Sequence, residues 1–400
     1  MSITEKAEVV VIGGGVIGTS ITYYLSKEGM DVTLVERGDI ASGTSGGCEG
    51  NVMAQDHEPG FDSNMTVESN RFYQELAREL EYDFQYHQPG SIFLIESEEE
   101  WDFMQDRLQK QKAVGLPVRM ISRDELRECE PNLASNLLGA VECTFTASVH
   151  PMYLALALVW GAKKLGARIK SFTEVRQIKL DSRHKIKSVI TSQGEIKTSR
   201  VVNAAGAWAP EIGKMVGLDI PIVPRRGQLA ITEPVAPIAS RKMSEARYIA
   251  AKFHPELAKK AGEDMLKYRV AFTLEPRMDG NILIGSSREF VGYNTRTTYQ
   301  VIRAIIKRAI RFLPILKNIH IIRTYGGLRP YTPDHLPIIS RVDEIDDFYI
   351  AAGHEGDGIG LAPLTGKLIT QLITHTPTLI PVERLRFSRF AKKKRKMKEY

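Results

Sequence analysis

Glu8-Val-Val-Val-Ile-Gly-Gly-Gly-Val-Ile-Gly18, then an amphipathic run, then Asp31-Val-Thr-Leu-Val-Glu36, is the stretch that decides the fold of this chain. Val9 to Ile12 is a continuous apolar run, the pattern of a strand buried on both faces. Gly13, Gly15 and Gly18 supply a G-x-G-x-x-G turn that opens a helix. The first glycine allows the tight turn, the second lets backbone approach a pyrophosphate at the positive helix end, and the third lets the helix pack closely. Ile17, Ile21, Tyr24 and Leu25 share one helical face, Gly29 ends the helix, and Val32 to Val35 form the next strand. Glu36 closes that strand a little over ~20 residues beyond the first glycine, where a carboxylate can accept from a ribose and would repel a 2′-phosphate. The adenosine half is therefore that of FAD or NAD, not NADP.

At 400 residues the chain exceeds the size of a single core, so two domains are expected. Hydrophobic residues at 43% and charged residues at 26% are an ordinary soluble balance, and no apolar stretch is long enough to span a bilayer. Acidic residues precede the first apolar run and glycines interrupt it, so it reads as a strand and not a signal peptide; a cytoplasmic location is expected. Cys48, Cys129 and Cys143 lack paired metal spacing, which indicates neither a disulfide framework nor a metal or iron–sulfur site in this chain. Most of the formal charge of +6 belongs to the last ten residues, where Lys392, Lys393, Lys394, Arg395, Lys396 and Lys398 face Glu399. A basic tail without interleaved aromatics reads as a solvated, disordered end and not as a nucleic-acid site.

Outward from the first unit, the Gly- and Ser-rich segment Ala41 to Gly50 reads as a second cofactor-contacting loop. Helical periodicity covers residues 64–82, and a strand at Ser91 to Ile95 with an acidic helix at Glu98 to Val114 begins a different region. Pro151 to Gly166 is a strong helix, followed by strands at Arg168 to Phe172 and Val175 to Leu180 and a hairpin over Ser188 to Thr198. Residues 221–325 alternate strands, such as Gln228 to Thr232 and Asn281 to Ile284, with a long helix from Thr298 to Phe312. A final strand, Phe348 to Ala351, leads into Gly353-His-Glu-Gly-Asp-Gly-Ile-Gly360 and a helix starting near Pro363. The fold class is thus α/β, a Rossmann-like nucleotide-binding domain interleaved with an α+β substrate domain on a mixed or antiparallel sheet. Residues 1–82, 146–215 and 326–390 are assigned to the first, 83–145 and 216–325 to the second, and 391–400 to the tail.

Glycine-rich strand-to-helix turns near both ends favour FAD, because a nicotinamide enzyme would complete its site soon after the first unit and not about three hundred residues later. The chain resembles the glycine oxidase and D-amino-acid oxidase superfamily of FAD-dependent amine oxidoreductases over nearly its whole length. Besides the first unit, the resemblance rests on Ala41 to Gly47, Asn203-Ala-Ala-Gly-Ala-Trp208, Arg226-Gly-Gln228, Gly326-Gly-Leu-Arg-Pro330 with Pro333-Asp334, and Gly353 to Pro363. Glu233-Pro234, Tyr248-Ile-Ala-Ala-Lys252 and Ile284 to Gly292 look most like the flavin subunits of heteromeric dehydrogenases, of the hydrogen cyanide synthase, octopine or nopaline oxidase and D-hydroxyproline or proline dehydrogenase type.

What the resemblance implies can be placed residue by residue. Gly13, Gly15, Val16, Ile17, Gly18, Glu36 and Arg37 would serve the nucleotide end, with Val175 at the adenine. Ser42, Thr44, Ser45 and Gly47 would lie along the pyrophosphate and ring, supported by Ala205, Gly206, Trp208 and Gly227. Gly356, Gly358 and Ile359 would sit at the pyrimidine end of the flavin, where amides at a helix N-terminus stabilise negative charge. Arg329 would grip a substrate carboxylate over the flavin, and His354 is a candidate at the flavin edge or a structural histidine. No cysteine lies near Gly326, so noncovalent FAD is expected, and Cys48 reads as a packed thiol.

The implied reaction is oxidation of a small amino or imino acid by hydride transfer from Cα to the flavin, within an assembly whose other subunits include an iron–sulfur electron carrier. The alternative is a self-sufficient glycine-oxidase-like enzyme that reduces O2 to H2O2. Two departures from the commoner family pattern bear on the substrate: His150 before Pro151, and Glu355-Gly-Asp357 in place of an arginine-containing stretch.

Overall fold

A computed structural model describes residues 4–253 and 263–391. Residues 392–400, and with them the reading of the basic tail, lie outside the described residues.

The apolar run Val9–Ile12 is a fully buried strand near the middle of a six-stranded sheet. Its neighbours are Val32–Val35 on one side and Arg200–Asn203 on the other, both parallel to it. The sheet then extends through Arg168–Lys170 at one edge and Phe348–Ala352 and the antiparallel Ile338–Arg341 at the other. The chain leaves the central strand toward one side and returns on the other a long way later. That is a topological switch point, the position at which a doubly wound sheet opens a crevice at its strand ends.

An eight-stranded sheet carries the second region, and the mixed character expected from the sequence holds. All its strand pairs are antiparallel except Lys242–Glu245 with Ser91–Ile95. Its edge is Ile321–Tyr331, paired along its length with Val223–Thr232. The assigned boundary at residue 326 falls inside this strand. The amides on both sides of it keep one register, so the whole strand goes with the larger sheet and only the chain after Tyr331 returns to the smaller.

Helix Val16–Lys27 starts where the glycine turn ends, and it packs against the last helix, Gly358–Thr374. The contact is close because Gly366 presents no side chain: a Cβ there would meet Ser20 and Tyr24. Ser20 Oγ donates to the Ala362 carbonyl at 2.8 Å.

The last helix begins at Gly358, five residues before the start expected from Pro363, which lies inside it. A proline in the second turn has no N–H for the carbonyl four residues back, here that of Ile359. Tyr73, buried on helix Phe61–Glu79, donates its hydroxyl to that same carbonyl. The side chain replaces the missing backbone donor, so the helix runs through.

Tyr73→Phe is expected to cost about 1–3 kcal/mol in denaturant unfolding, because it leaves the buried Ile359 carbonyl without a donor. If its stability equals that of wild type, the compensation does not operate.

Candidate active site

At the switch point the glycine turn, the Ala41 to Gly50 loop, the return strand end and the last strand-to-helix turn surround one cavity of about 460 Å³. Gly13 has φ +115°, and a Cβ there would strike the Ala204 carbonyl, so two strand ends meet backbone to backbone. At Gly15, the N-cap of the first helix, an added Cβ would point at Ser45 Oγ at 3.1 Å. Ser45 Oγ accepts from Val16 N at 3.0 Å, which ties the loop to the helix N-terminus.

Of the residues singled out from the sequence, Gly13, Gly15, Val16, Ile17, Glu36 and Arg37 line this cavity. Ser42, Thr44, Ser45, Gly47, Val175, Ala205, Gly206, Trp208 and Gly227 line it too, as do Arg329, His354, Gly356, Gly358 and Ile359. Gly18 does not. A Cβ at Gly18 would collide with the Gly13 carbonyl oxygen, so its part is to let the helix close on the turn. Glu36 lines the cavity with its oxygens engaged by the amides of Gly14 at 2.6 Å and Gly38 at 2.7 Å. Each carboxylate oxygen keeps a further acceptor site for a ribose hydroxyl. Arg37 lies 4.2 Å over the Trp208 ring, which also stacks on Tyr293.

Strand pairing brings Arg329 to the other end of the cavity. Its guanidinium lies on Gly227, where any Cβ would overlap it, and donates to the Ser287 carbonyl at 3.0 Å. Burial lowers its pKa, as does the nearby Arg288 charge. No carboxylate among the described residues lies within ion-pair distance of Arg329.

Glu49 is the functional candidate that the sequence reading missed. It lines the cavity, accepts from Thr273 Oγ1 at 2.7 Å and Asn51 Nδ2 at 2.8 Å, and lies 3.7 Å from buried Lys242. Burial opposes its ionisation, but Lys242, the Thr273 hydroxyl and Arg329 outweigh it and hold the carboxyl below its usual range. One glutamate in a glycine-rich loop carries no motif, and its partners are distant in sequence.

His354 is buried, with Nε2 3.0 Å from Thr365 Oγ1 and Nδ1 without a hydrogen-bond partner. Burial pushes its pKa down to about 4, which makes it a neutral imidazole near pH 7. Burial likewise pushes the Cys48 thiol up to about 12, against any nucleophilic part. The two departures from the family pattern also have places. His150 caps helix Pro151–Lys164, accepting from Tyr153 N at 3.3 Å, and it does not line the cavity. Glu355 pairs with Arg225 and lies 3.2 Å from His335, while Asp357 is the N-cap of the last helix.

The residues present fit a flavin dinucleotide. A side-chain-free helix N-terminus lies at one end, a second helix N-terminus at the other, and the unpartnered His354 Nδ1 beside it.

The comparisons agree with this geometry. The family described as FAD dependent oxidoreductase matches residues 8–372. The hydrogen cyanide synthase subunit HcnC of Pseudomonas protegens is 28% identical, with 96% of each chain covered, and glycine oxidase of Bacillus subtilis is 30% identical over 92% of each. The crystal structure of L-proline dehydrogenase from P. horikoshii superposes with a TM-score of 0.86 at 30% identity, covering 98% of this chain and 99% of that one. The chain belongs to the FAD dependent oxidoreductase family. Among the described residues, no helix is long and apolar enough to cross a membrane.

Gly15→Val places branched methyl groups over the helix N-terminus where the pyrophosphate must approach. The purified variant is expected to fold, by circular dichroism, with less than a tenth of the wild-type flavin per chain. Full flavin content would remove the glycine turn from the cofactor site.

Proposed function

We propose that this FAD-dependent oxidoreductase is the flavin subunit of a heteromeric dehydrogenase oxidising a small amino or imino acid, in the class of proline, hydroxyproline, an opine or glycine. The observation that carries the reading is the opposition of charge in one cavity. Arg329 and Glu49 both line it, and each is more than an ion-pair distance from the other. A zwitterionic amino acid brings a carboxylate to one and an amine to the other, whereas a plain amine leaves the Arg329 charge without a carboxylate.

FAD, held without a covalent bond by the glycine turns and loops, supplies the hydride acceptor. Arg329 binds the carboxylate through its planar pair of N–H donors, a geometry that fixes Cα as well as attracting the charge. Glu49 accepts hydrogen bonds from the amine. Its depressed pKa makes it an acceptor and not a proton store, so the substrate has to lose its ammonium proton to water, against the pull of this carboxylate, before the hydride departs. Orientation then carries most of the rate, with no strong protein base. His354 stays neutral and positions the last turn through Thr365.

The subunit reading is supported by the likeness of Tyr248 to Lys252 and Ser286 to Gly292 to flavin subunits of heteromeric dehydrogenases, and by a relative that is itself named a subunit. Electrons would leave to a partner bearing an iron–sulfur centre. Relatives named glycine oxidase support the second reading, direct transfer to O2. Fast reoxidation of the reduced chain by air favours that reading, and slow reoxidation with dye reduction favours the dehydrogenase.

Arg329→Ala should leave the carboxylate desolvated without a partner, a penalty of about 2–5 kcal/mol and hence a loss of more than tenfold in kcat/KM. Arg329→Lys should fall between the two, keeping charge and losing the two-pronged donor set. Flavin content should survive both changes. Near-normal kcat/KM of the alanine variant on an amino acid would sink the carboxylate clamp.

A further inference from the structure

The mouth of the cofactor cavity carries a stack of side chains from distant parts of the chain. Arg37 and Trp208 both line the cavity, and Arg37 is exposed and Trp208 half-buried, so each faces the cavity on one side and solvent on the other. The Arg37 guanidinium lies 4.2 Å over the indole, and the Tyr293 ring stacks on the indole at 5.5 Å with 15° between the planes. A Cβ added at Gly43 would lie 3.5 Å from the same indole, so Trp208 packs beside the loop that lines the cavity.

Tyr293 reaches the indole from the other half of the molecule, at the tip of a segment that one buried arginine of the larger sheet ties down at both ends. Arg226 Nη2 pairs with Glu289 at 2.9 Å, and its Nη1 donates to the Arg296 carbonyl at 2.6 Å. Gln228 Nε2 donates to the Glu289 carboxylate at 2.8 Å. Gly292 has φ +63°, the left-handed conformation that glycine adopts freely, and so allows the tight turn just before Tyr293. The Tyr293 hydroxyl donates to the Ala207 carbonyl at 3.3 Å, on the residue before Trp208. Burial, and then the neighbouring Glu211 carboxylate, raise its pKa, so near pH 7 it is a neutral donor. The phenol itself is 44% exposed, so this anchoring serves the contact with Trp208 and not the core.

We propose that Arg37, Trp208 and Tyr293 form a latch across the mouth of the cavity, and that its opening limits both the entry and the release of FAD. Stacking and cation–π contacts suit such a part, since each is strong enough to hold two flat groups together and weak enough to part without unfolding anything. Tyr293 does not line the cavity. It acts through Trp208 as a positioning residue, holding the indole where the cofactor would have to pass. A contact that only stabilises bound FAD slows release alone, whereas a latch slows both directions, because the ring that bars exit also bars entry. The latch needs only FAD in the cavity and is independent of the substrate that Arg329 binds.

The test uses the full-length protein with FAD itself as the probe. Release is read from the rise of free-FAD fluorescence after dilution of the FAD-loaded form, and uptake from its quenching when FAD is added to the acid-stripped form. Tyr293→Ala should speed release roughly tenfold and uptake by a comparable factor, so that the Kd for FAD moves less than about threefold. Tyr293→Phe keeps the ring and should stay within about twofold of wild type in both directions. Tyr293→Leu keeps bulk without a flat face, should behave as the alanine variant does, and carries the test if that variant fails to fold by circular dichroism. Release at the wild-type rate in the folded variants overturns the latch. Faster release with unchanged or slower uptake overturns it as well, and makes Tyr293 an ordinary support of the binding site.

Discussion

Backbone-to-backbone contact between Gly47 and Gly327 joins the two halves of this molecule. A Cβ on either residue would run into the main chain of the other. Thr44 Oγ1 reinforces the joint by donating to the Leu328 carbonyl at 2.6 Å. The loop that lines the cofactor cavity and the strand that carries Arg329 are therefore one mechanical unit, although 284 residues separate Thr44 from Leu328. Arg329 and the glycine-rich loop of the cavity wall hold their relative position without a long side chain between them. The same device recurs at Gly13 against Ala204 and at Gly227 beneath the guanidinium. Where backbone must approach backbone or a planar group, a side chain would push the parts out of register.

Electrostatics complete what the close contacts position. The cavity has a carboxylate and a guanidinium in its wall, and only the carboxylate is held charged by a close partner. Lys242 does this for Glu49, while Lys242 itself lies between Glu49 and Glu275 at 3.7 and 3.6 Å. Buried charges of this kind cost stability unless partnered, and functional sites are where a fold retains them. The neutral His354 and the high-pKa Cys48 show the opposite outcome: burial without a strong partner removes the charge.

Much of this was legible in the chain. The first strand, turn, helix, strand and acid follow local rules of pattern and spacing, and Val9–Ile12, Val16–Lys27 and Val32–Val35 lie where those rules place them. About half of the residues in the cavity wall could be named, because those stretches are glycine-rich turns at strand ends. What was not legible depends on partners far away in sequence. Pro363 marks a helix start by local reasoning, yet Tyr73 lets the helix begin five residues earlier. The boundary assigned at residue 326 falls inside a strand, because pairing with Val223–Thr232 carries that strand through to Tyr331. His150 looked like a clue to substrate and is a helix cap. Glu49 gave no local signal, since its significance lies in the distant charges it meets.

The central claim is that one cavity holds the flavin and orients an amino acid by its carboxylate. The measurement that tests it most directly is anaerobic mixing of the purified yellow protein with matched pairs that differ only in that group, such as proline with pyrrolidine and N-methylglycine with dimethylamine. The account predicts bleaching of the visible flavin absorbance by one or more of the acids and none by the corresponding amines at equal concentration. Equal bleaching by acid and amine would contradict it.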